Sequence, residues 1–195
     1  MAISDMQRRR MLPVGMLMIE HRLIERMLGL MRAELDRIGK YGRVDADFVD
    51  DAVDFMRTFS DVCHHGKEER ILFSALSAKP LEPGIRKTME DLIKEHKFAR
   101  ETVEDIERAK ERYLIGERNA PADIISALNT IIEFYPRHIA KEDKGFFVPS
   151  MGYFTKEEKE QMLEEFIDFD SRLIGERYKA IVDGYEARFM PRARR

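Results

Sequence analysis

Four long segments of the chain carry apolar residues at alternating steps of three and four, and this spacing constrains the fold more than any other feature. The segments cover residues 13–38, 45–77, 83–115 and 121–149. Such spacing places the apolar side chains along one side of an α-helix. The stretches between the segments are short and contain proline or glycine, which resist helix interiors. The sequence therefore predicts an all-α fold, an up-down-up-down antiparallel four-helix bundle.

An additional C-terminal helix is predicted after the bundle. Thr155 and Glu158 have the spacing of a capping box at its start, and the apolar pattern fades near Gly184. Its apolar side is expected to bury Met162, Phe166, Phe169 and Leu173. We divide the chain into a lead-in (1–12), the bundle (13–150) and a C-terminal part (151–195). In that last part the helix packs on the bundle or on a partner and precedes a basic tail.

Composition narrows the environment and the partners. A chain of 195 residues is long enough for one domain with a real core. The net charge of −3 provides no field that attracts nucleic acid or an anionic membrane. One cysteine permits no internal disulfide, and the apolar run from Met11 to Ile19 is too short to span a bilayer. We expect a cytoplasmic protein with no nucleic-acid or membrane partner, and a homodimer stays an open alternative.

Each helix of the predicted bundle places one histidine on the side where core residues belong. These residues are His21, His64, His96 and His138. One such residue is usually an ordinary core histidine, but four on four helices call for another explanation. They lie about 17 and 18 residues from the first predicted turn, about 13 and 12 from the second, and about 19 and 17 from the third. Equal counts mean equal heights in an antiparallel bundle, so the imidazoles should converge within roughly one helical turn.

Two glutamates accompany these histidines. Glu68 and Glu142 follow His64 and His138 by four residues and therefore share their helix face. A buried carboxylate costs several kcal/mol unless a cation compensates for it. Four imidazoles and two carboxylates suit iron, manganese or zinc, and six ligands that can bridge favour a dinuclear site.

Four residues adjacent in sequence to the predicted ligands are not expected to bind the metal. His65 points about 100° away from His64, which predicts a surface or outer position. Glu69 shares the direction of His65 and is predicted to be solvated. Glu20 and Glu95 are predicted to be exposed.

The roles of two further residues stay undecided from their spacing. Glu25 follows His21 by four residues and could add a carboxylate to the site. Tyr135 lies one turn before His138, where it either packs in the core or donates a hydrogen bond to a bound oxygen species.

The runs from His64 to Phe73 and from His138 to Phe147 closely resemble the second- and fourth-helix motifs of the hemerythrin-like family of HHE cation-binding proteins. The resemblance covers about residues 13–150. It implies a non-heme site with two iron ions (Fe2+/Fe3+) joined by an oxo or hydroxo bridge, with manganese or zinc as substitutes. It also implies that Glu68 and Glu142 bridge the two ions.

The sequence departs from the oxygen-carrying members of that family. Those proteins have a fifth histidine four residues after the first one on the third helix, where this chain has Arg100. Their fourth-helix carboxylate is an aspartate five residues after the histidine. Asp143 has that spacing here, but Glu142 lies on the apolar side. The four-His, two-Glu set is instead similar to the di-iron proteins of iron–sulfur cluster repair and to ligase-associated iron-sensing domains.

The resemblance implies one of two kinds of function. The first is a redox di-iron protein that handles a small ligand (O2, peroxide or NO) or supplies iron for stress response or cluster repair. The second is a non-catalytic metal or oxygen sensor, or a storage module. A structural bundle without metal is the remaining alternative, and whether the protein is an enzyme is left open. No nucleophile triad, phosphate loop or nucleotide motif competes with these hypotheses.

Overall fold

The computed structural model describes residues 12–171 and 175–190, and all regular structure within these ranges is helical. The predicted all-α class is confirmed. The helices are α1 (Pro13–Tyr41), α2 (46–77), α3 (Pro83–Leu114), α4 (120–150), α5 (Lys156–Ser171) and α6 (Gly175–Phe189). Residues 1–11 of the predicted lead-in and the basic tail from 191 lie outside the described residues. Within the described ranges no helix has the length and hydropathy that a membrane span requires.

The C-terminal part is helical over Lys156–Ser171 (α5) and Gly175–Phe189 (α6), and residues 172–174 between these ranges lie outside the described residues. The helix continues through Gly184 to Phe189, whereas the apolar pattern was predicted to fade near Gly184. Met162 and Phe166 are buried as predicted, Phe169 is half-buried, and Leu173 lies outside the described residues. Helix α5 packs on α1 and on the Glu68–Phe73 segment of α2, and α6 packs on α1 and on the Phe55–His65 segment of α2.

The ends of the helices follow local signals in the sequence. Gly42 ends α1 in the left-handed conformation, with φ 67°, and its N–H donates to Ile38. Asp45 caps α2 by accepting a hydrogen bond from the Phe48 N–H at 3.2 Å. The capping box predicted for α5 is also present. The Glu158 N–H donates to Thr155 Oγ1 at 3.2 Å, and the Thr155 N–H donates to Glu158 Oε2 at 2.8 Å.

Helices α2 and α4 change their winding where the predicted metal ligands lie, which the apolar spacing did not indicate. In α2 the α-helix Ala46–Asp54 continues as π-helix over Phe55–His65 and Glu68–Phe73, then as α-helix over Ser74–Ser77. In α4 the α-helix Ala120–Lys141 continues as π-helix over Glu142–Phe146 and ends as Phe147–Ser150. A π-turn is wider than an α-turn, so consecutive side chains are separated by less than 100°. Side-chain directions taken from an ideal α-helix are therefore shifted at the site.

Two apolar clusters form the core, and a polar layer separates them. The larger cluster, core 1, includes Ile24, Phe55, Ile106 and Leu128. The smaller cluster, core 2, includes Leu17, Leu72, Leu92 and Phe146. Helices α1 and α3 pass from core 2 to core 1, whereas α2 and α4 pass from core 1 to core 2. His21, His64 and His96 lie between the core 1 and core 2 residues of their helices, and His138 directly precedes Ile139, the last core 1 residue of α4. The polar layer therefore contains the four histidines.

Candidate metal centre

The structure brings all six predicted metal ligands together in the polar layer. Their exposed fractions are between 0% and 2%. The residues are His21, His64, Glu68, His96, His138 and Glu142. One group of four, His21, His64, Glu68 and Glu142, has side-chain nitrogen and oxygen atoms that all lie within 4.8 Å of one another. This is an arrangement that can hold a metal ion.

The two carboxylates lie between two pairs of imidazoles. Glu68 directs Oε1 towards His64 Nε2 at 3.5 Å and Oε2 towards His96 Nε2 at 3.2 Å. Glu142 directs Oε2 towards His21 Nε2 at 3.1 Å and Oε1 towards His138 Nε2 at 3.3 Å. Each carboxylate thus presents one oxygen to each pair, which is the arrangement a bridging carboxylate needs.

The four imidazoles have a common orientation that hydrogen bonds at Nδ1 impose. The carboxylate partners of Nδ1 are Asp143 for His21 (2.7 Å), Glu20 for His64 (2.8 Å), Glu69 for His96 (2.7 Å) and Glu95 for His138 (2.9 Å). An ionised carboxylate only accepts hydrogen bonds, so the proton of each neutral ring lies on Nδ1. The lone pair of each Nε2 is therefore directed into the centre. Carboxylates hold metal-bound histidines in this way.

Most of the nitrogen and oxygen atoms that face the centre have no hydrogen-bond partner. Among the described residues, seven buried side-chain atoms lack a hydrogen-bond partner, and they include both oxygens of Glu68 and of Glu142. The Nε2 atoms of His96 and His138 are also without a partner, and those of His21 and His64 face each other at 2.9 Å. Lone pairs directed at lone pairs are repulsive unless a cation lies between them. The donor set therefore fits transition-metal ions.

The pKa shifts of the buried histidines and carboxylates also indicate that the centre favours positive charge. Burial opposes a charge on His21, but its hydrogen bond to Asp143 and the nearby charges of Glu142 and Glu68 raise its pKa to about 9. Burial lowers the pKa of the adjacent His64 to about 3. Burial would raise the pKa of Glu142, but the electrostatic attraction of His138 and His21 holds it well below its usual range. The carboxylate thus stays ionised inside the core.

The outer carboxylates were missed by the sequence analysis, which predicted Glu20 and Glu95 to be exposed and Glu69 to be solvated. Their side chains are only 11%, 26% and 28% exposed. A signal was present in the sequence, because each of these acids adjoins a predicted ligand. A side chain next to a ligand points about 100° away from it, so it reaches the histidine of a neighbouring helix instead of its own.

Cationic side chains complete this outer layer. Lys67 is fully buried and contacts Glu20 and Asp170, and Lys141 contacts Glu95. Arg22 donates to Asp143 at 2.6 Å, and Arg100 donates to Glu69 at 2.7 Å. Burial would raise the pKa of Glu69 and of Glu95, but the hydrogen bonds from His96 and Arg100, and from His138 and Lys141, lower it. The outer acids therefore stay ionised and keep accepting from Nδ1.

His65 does not lie at the surface, which was one of its two predicted positions. It is 1% exposed, and its ring stacks on the ring of His96 with the centroids 3.9 Å apart. The surface alternative assumed an ideal α-helix, whereas His65 ends a π-helical segment. The other predicted alternative, an outer position beside the ligands, agrees with the stacking on His96.

The structure shows where the two residues of undecided role lie relative to the centre. Glu25 is 41% exposed and pairs with Arg22 at 3.0 Å, so it lies outside the centre. Tyr135 is buried, and its hydroxyl forms a hydrogen bond with Ser60 at 2.9 Å. Its ring packs edge-on against His138.

A helical bundle whose buried centre consists of imidazoles and carboxylates belongs to the class of metal-binding bundles. The model of the hemerythrin HHE cation-binding domain matches residues 12–148, which is more than half of the chain. The protein belongs to the hemerythrin HHE cation-binding family. Membership implies that it binds metal, typically iron. No curated protein and no solved structure matches the chain.

Proposed function

We propose that residues 13–150 form an up-down-up-down bundle that holds two iron ions. Glu68 and Glu142 would bind both ions, His21 and His64 would bind one of them, and His96 and His138 would bind the other. The observation that carries the proposal is the set of buried carboxylate oxygens and Nε2 atoms that face one another without hydrogen-bond partners. The alternating order in which the helices cross core 1 and core 2 supports the topology.

The ligand of this centre is proposed to be small. All six residues are almost completely buried, which favours O2, peroxide or NO over a larger substrate. The iron pair supplies electrons and a position for such a ligand. The chain supplies the remaining conditions: core 1 and core 2 exclude water on both sides, and the outer carboxylates hold each imidazole proton at Nδ1.

A second function, an iron or oxygen sensor, is favoured by one chain of contacts. His64 donates to Glu20, Glu20 pairs with the buried Lys67, and Lys67 pairs with Asp170 of helix α5. A change at His64 is thereby linked to the C-terminal helices. Turnover of peroxide or NO favours the redox function. A change in α5 or in oligomeric state on metal loading, with stoichiometric binding only, favours the sensor.

The test is iron content and reactivity in matched variants. We expect about two irons per chain in the wild type, and an anaerobically reduced protein whose absorbance changes with O2, peroxide or NO. Glu68→Ala and Glu142→Ala should lose half of the iron or more, because each removes a bridging carboxylate. Glu25→Ala is the matched control, since Glu25 also follows a histidine by four residues but is exposed. Wild-type protein that takes up no iron, or variants that keep all of it, would refute the proposal.

A further inference from the structure

A small ligand of the proposed centre has to pass between two helices, because core 1 and core 2 close the polar layer along the bundle. Three boundaries between helices are filled near this level. Helix α5 packs on both α1 and α2. Between α3 and α4, Phe134 contacts Phe98 and stacks on His138, with ring centroids 5.1 and 5.4 Å apart. Between α4 and α1, Phe147 stacks on His21 at 5.7 Å. The boundary between α2 and α3 is different.

A cavity of about 150 Å³ lies between α2 and α3. Its apolar lining consists of Met56, Ala99 and Val103, whose exposed fractions are between 2% and 4%. Protein interiors contain few voids larger than a water molecule, so buried side chains that leave this much space are unusual. Apolar cavities of about this volume bind xenon or benzene in other proteins. The cavity therefore has room for a molecule as small as O2 or NO.

The charged residues that line the cavity cancel one another. Arg57 and Arg100 contribute two positive charges, and Asp61 and Glu104 contribute two negative ones. Arg57 donates two hydrogen bonds of 2.6 Å to Glu107, and Arg100 donates to Asp61 at 2.7 Å. Paired charges without a net sign produce little field that would attract an ion. The lining therefore favours an uncharged molecule.

The inner wall of the cavity consists of two rings that touch predicted metal ligands. His65 lines the cavity and stacks on His96, with centroids 3.9 Å apart and planes inclined by 10°. Tyr135 also lines the cavity and packs edge-on against His138, with centroids 5.9 Å apart. Both rings are buried, with exposed fractions of 1% and 2%. One side chain thus separates a molecule in the cavity from the ligands of the centre.

Of these two rings, His65 has the weaker hydrogen bonding. The hydroxyl of Tyr135 forms a hydrogen bond with Ser60 at 2.9 Å. Nδ1 of His65 lies 3.3 Å from Oδ1 of Asp61, an oxygen that also accepts from Arg100 at 2.7 Å. Nε2 of His65 has no hydrogen-bond partner among the described residues. His65 can therefore move with less loss of hydrogen bonding than Tyr135.

We propose that O2 or NO reaches the centre through the cavity between α2 and α3, and that His65 is the gate between this cavity and the metal ligands. The inference rests on the proposed function and concerns access, not metal binding. The parallel planes of His65 and His96 prevent their ring nitrogens from pointing at one ion, so His65 stays outside the ligand set. Entry and exit follow the same path, so an obstacle in the cavity slows both and leaves the affinity unchanged.

The kinetic test is stopped-flow binding of NO to the reduced, iron-loaded, full-length protein, with release measured after an NO scavenger is added. Ala99→Leu fills the cavity and should lower both rate constants by about tenfold or more, with little change in Kd. His65→Ala removes the gate and should raise both. Ala127→Leu is the matched control, because Ala127 lines a different groove, between α3 and α4, about three helical turns before His138. Its rate constants should equal those of the wild type.

Xenon provides a measurement that does not depend on iron. Under xenon pressure, the methyl NMR signals of Ala99 and Val103 should shift in the wild type, and the Val103 shift should be lost in Ala99→Leu. Thermal unfolding shows whether each variant is folded. If Ala99→Leu does not fold, Val103→Ile takes its place, since it adds a smaller group to the same lining.

Two results would overturn the route alone. One is an iron-loaded wild type whose cavity takes up no xenon, and the other is a folded cavity variant that binds NO as fast as the wild type does. A wild type that takes up no iron, or that does not bind NO when loaded, would overturn the proposed function and the route with it.

Discussion

At the scale of single residues, Glu34 shows how a buried carboxylate is stabilised by hydrogen bonds from the protein itself, without a metal ion. Glu34 is fully buried, as Glu68 and Glu142 are. Its oxygens accept hydrogen bonds from the Asp45 N–H at 2.7 Å and from Arg37 Nε at 3.1 Å. The oxygens of Glu68 and Glu142 have no such partners. The contrast shows that this fold satisfies a buried acid where the acid is structural and leaves it unsatisfied at the metal centre.

The substitution Glu34→Gln should change the pH dependence of stability. Burial raises the pKa of Glu34, so the folded protein binds the proton more tightly than the unfolded chain. The free energy of unfolding of the wild type should therefore fall relative to that of Glu34→Gln as the pH rises above about 4, the usual pKa of a glutamate, and through the raised pKa of the folded protein. Urea denaturation at a series of pH values measures this difference, and a difference that moves the other way contradicts the assignment.

Glu34→Ala serves as the comparison. It removes the acceptor that a glutamine would keep and leaves the Asp45 N–H without that partner, so Glu34→Ala should be about 1–3 kcal/mol less stable than Glu34→Gln at every pH.

At the scale of elements, the winding of α2 has the largest consequence for the site. The period of its apolar residues is compatible with an uninterrupted α-helix, and on that basis His65 should point away from the centre. The π-helical segment Phe55–His65 instead places His64 and His65 both inside, at 1% exposure each. Helix α5 packs closely on this turn: a Cβ added to Gly66 would lie only 3.0 Å from Cζ of Phe169. Glycine allows α5 to approach this turn.

The capping box of α5 provides a prediction about how firmly that helix is held. Thr155→Ala removes the acceptor of the Glu158 N–H and should reduce the free energy of unfolding by about 1 kcal/mol. Thr155→Ser keeps the hydroxyl and should lose much less. Urea denaturation of both variants checks this, and an equal loss in the two would mean that the hydroxyl does not cap the helix.

At the scale of the whole molecule, a polar layer between two apolar cores links metal binding to folding. Core 1 and core 2 are continuous with this layer on every helix of the bundle. Metal that binds only the folded state stabilises it by mass action, by about 2.7 kcal/mol at a free concentration of a hundred times Kd. Removal of the metal leaves the buried oxygens of Glu68 and Glu142 without compensation.

Chelation under reducing conditions should therefore lower the Tm, and added Fe(II) should restore it. The double variant Glu68→Gln, Glu142→Gln should have a Tm that hardly depends on metal, because both bridging carboxylates are gone. Thermal unfolding followed by circular dichroism measures both proteins. A wild-type Tm that is independent of metal would contradict the link.

The sequence by itself determined the all-α class, the bounds of the first four helices to within a few residues, and the six residues that meet at the centre. These features depend on local rules: apolar spacing, caps, proline and glycine, and a rise per residue that converts position into height. His21, His64, His96 and His138 could be brought to one level by counting alone.

Only the tertiary structure decided which neighbours join the centre. The acids Glu20, Glu69 and Glu95 serve histidines on other helices, so their role depends on how helices pack and not on their own segment. His65 depends on a π-turn, which leaves no mark in the apolar period of α2. Contacts between distant segments carry this information, and a local pattern cannot contain it.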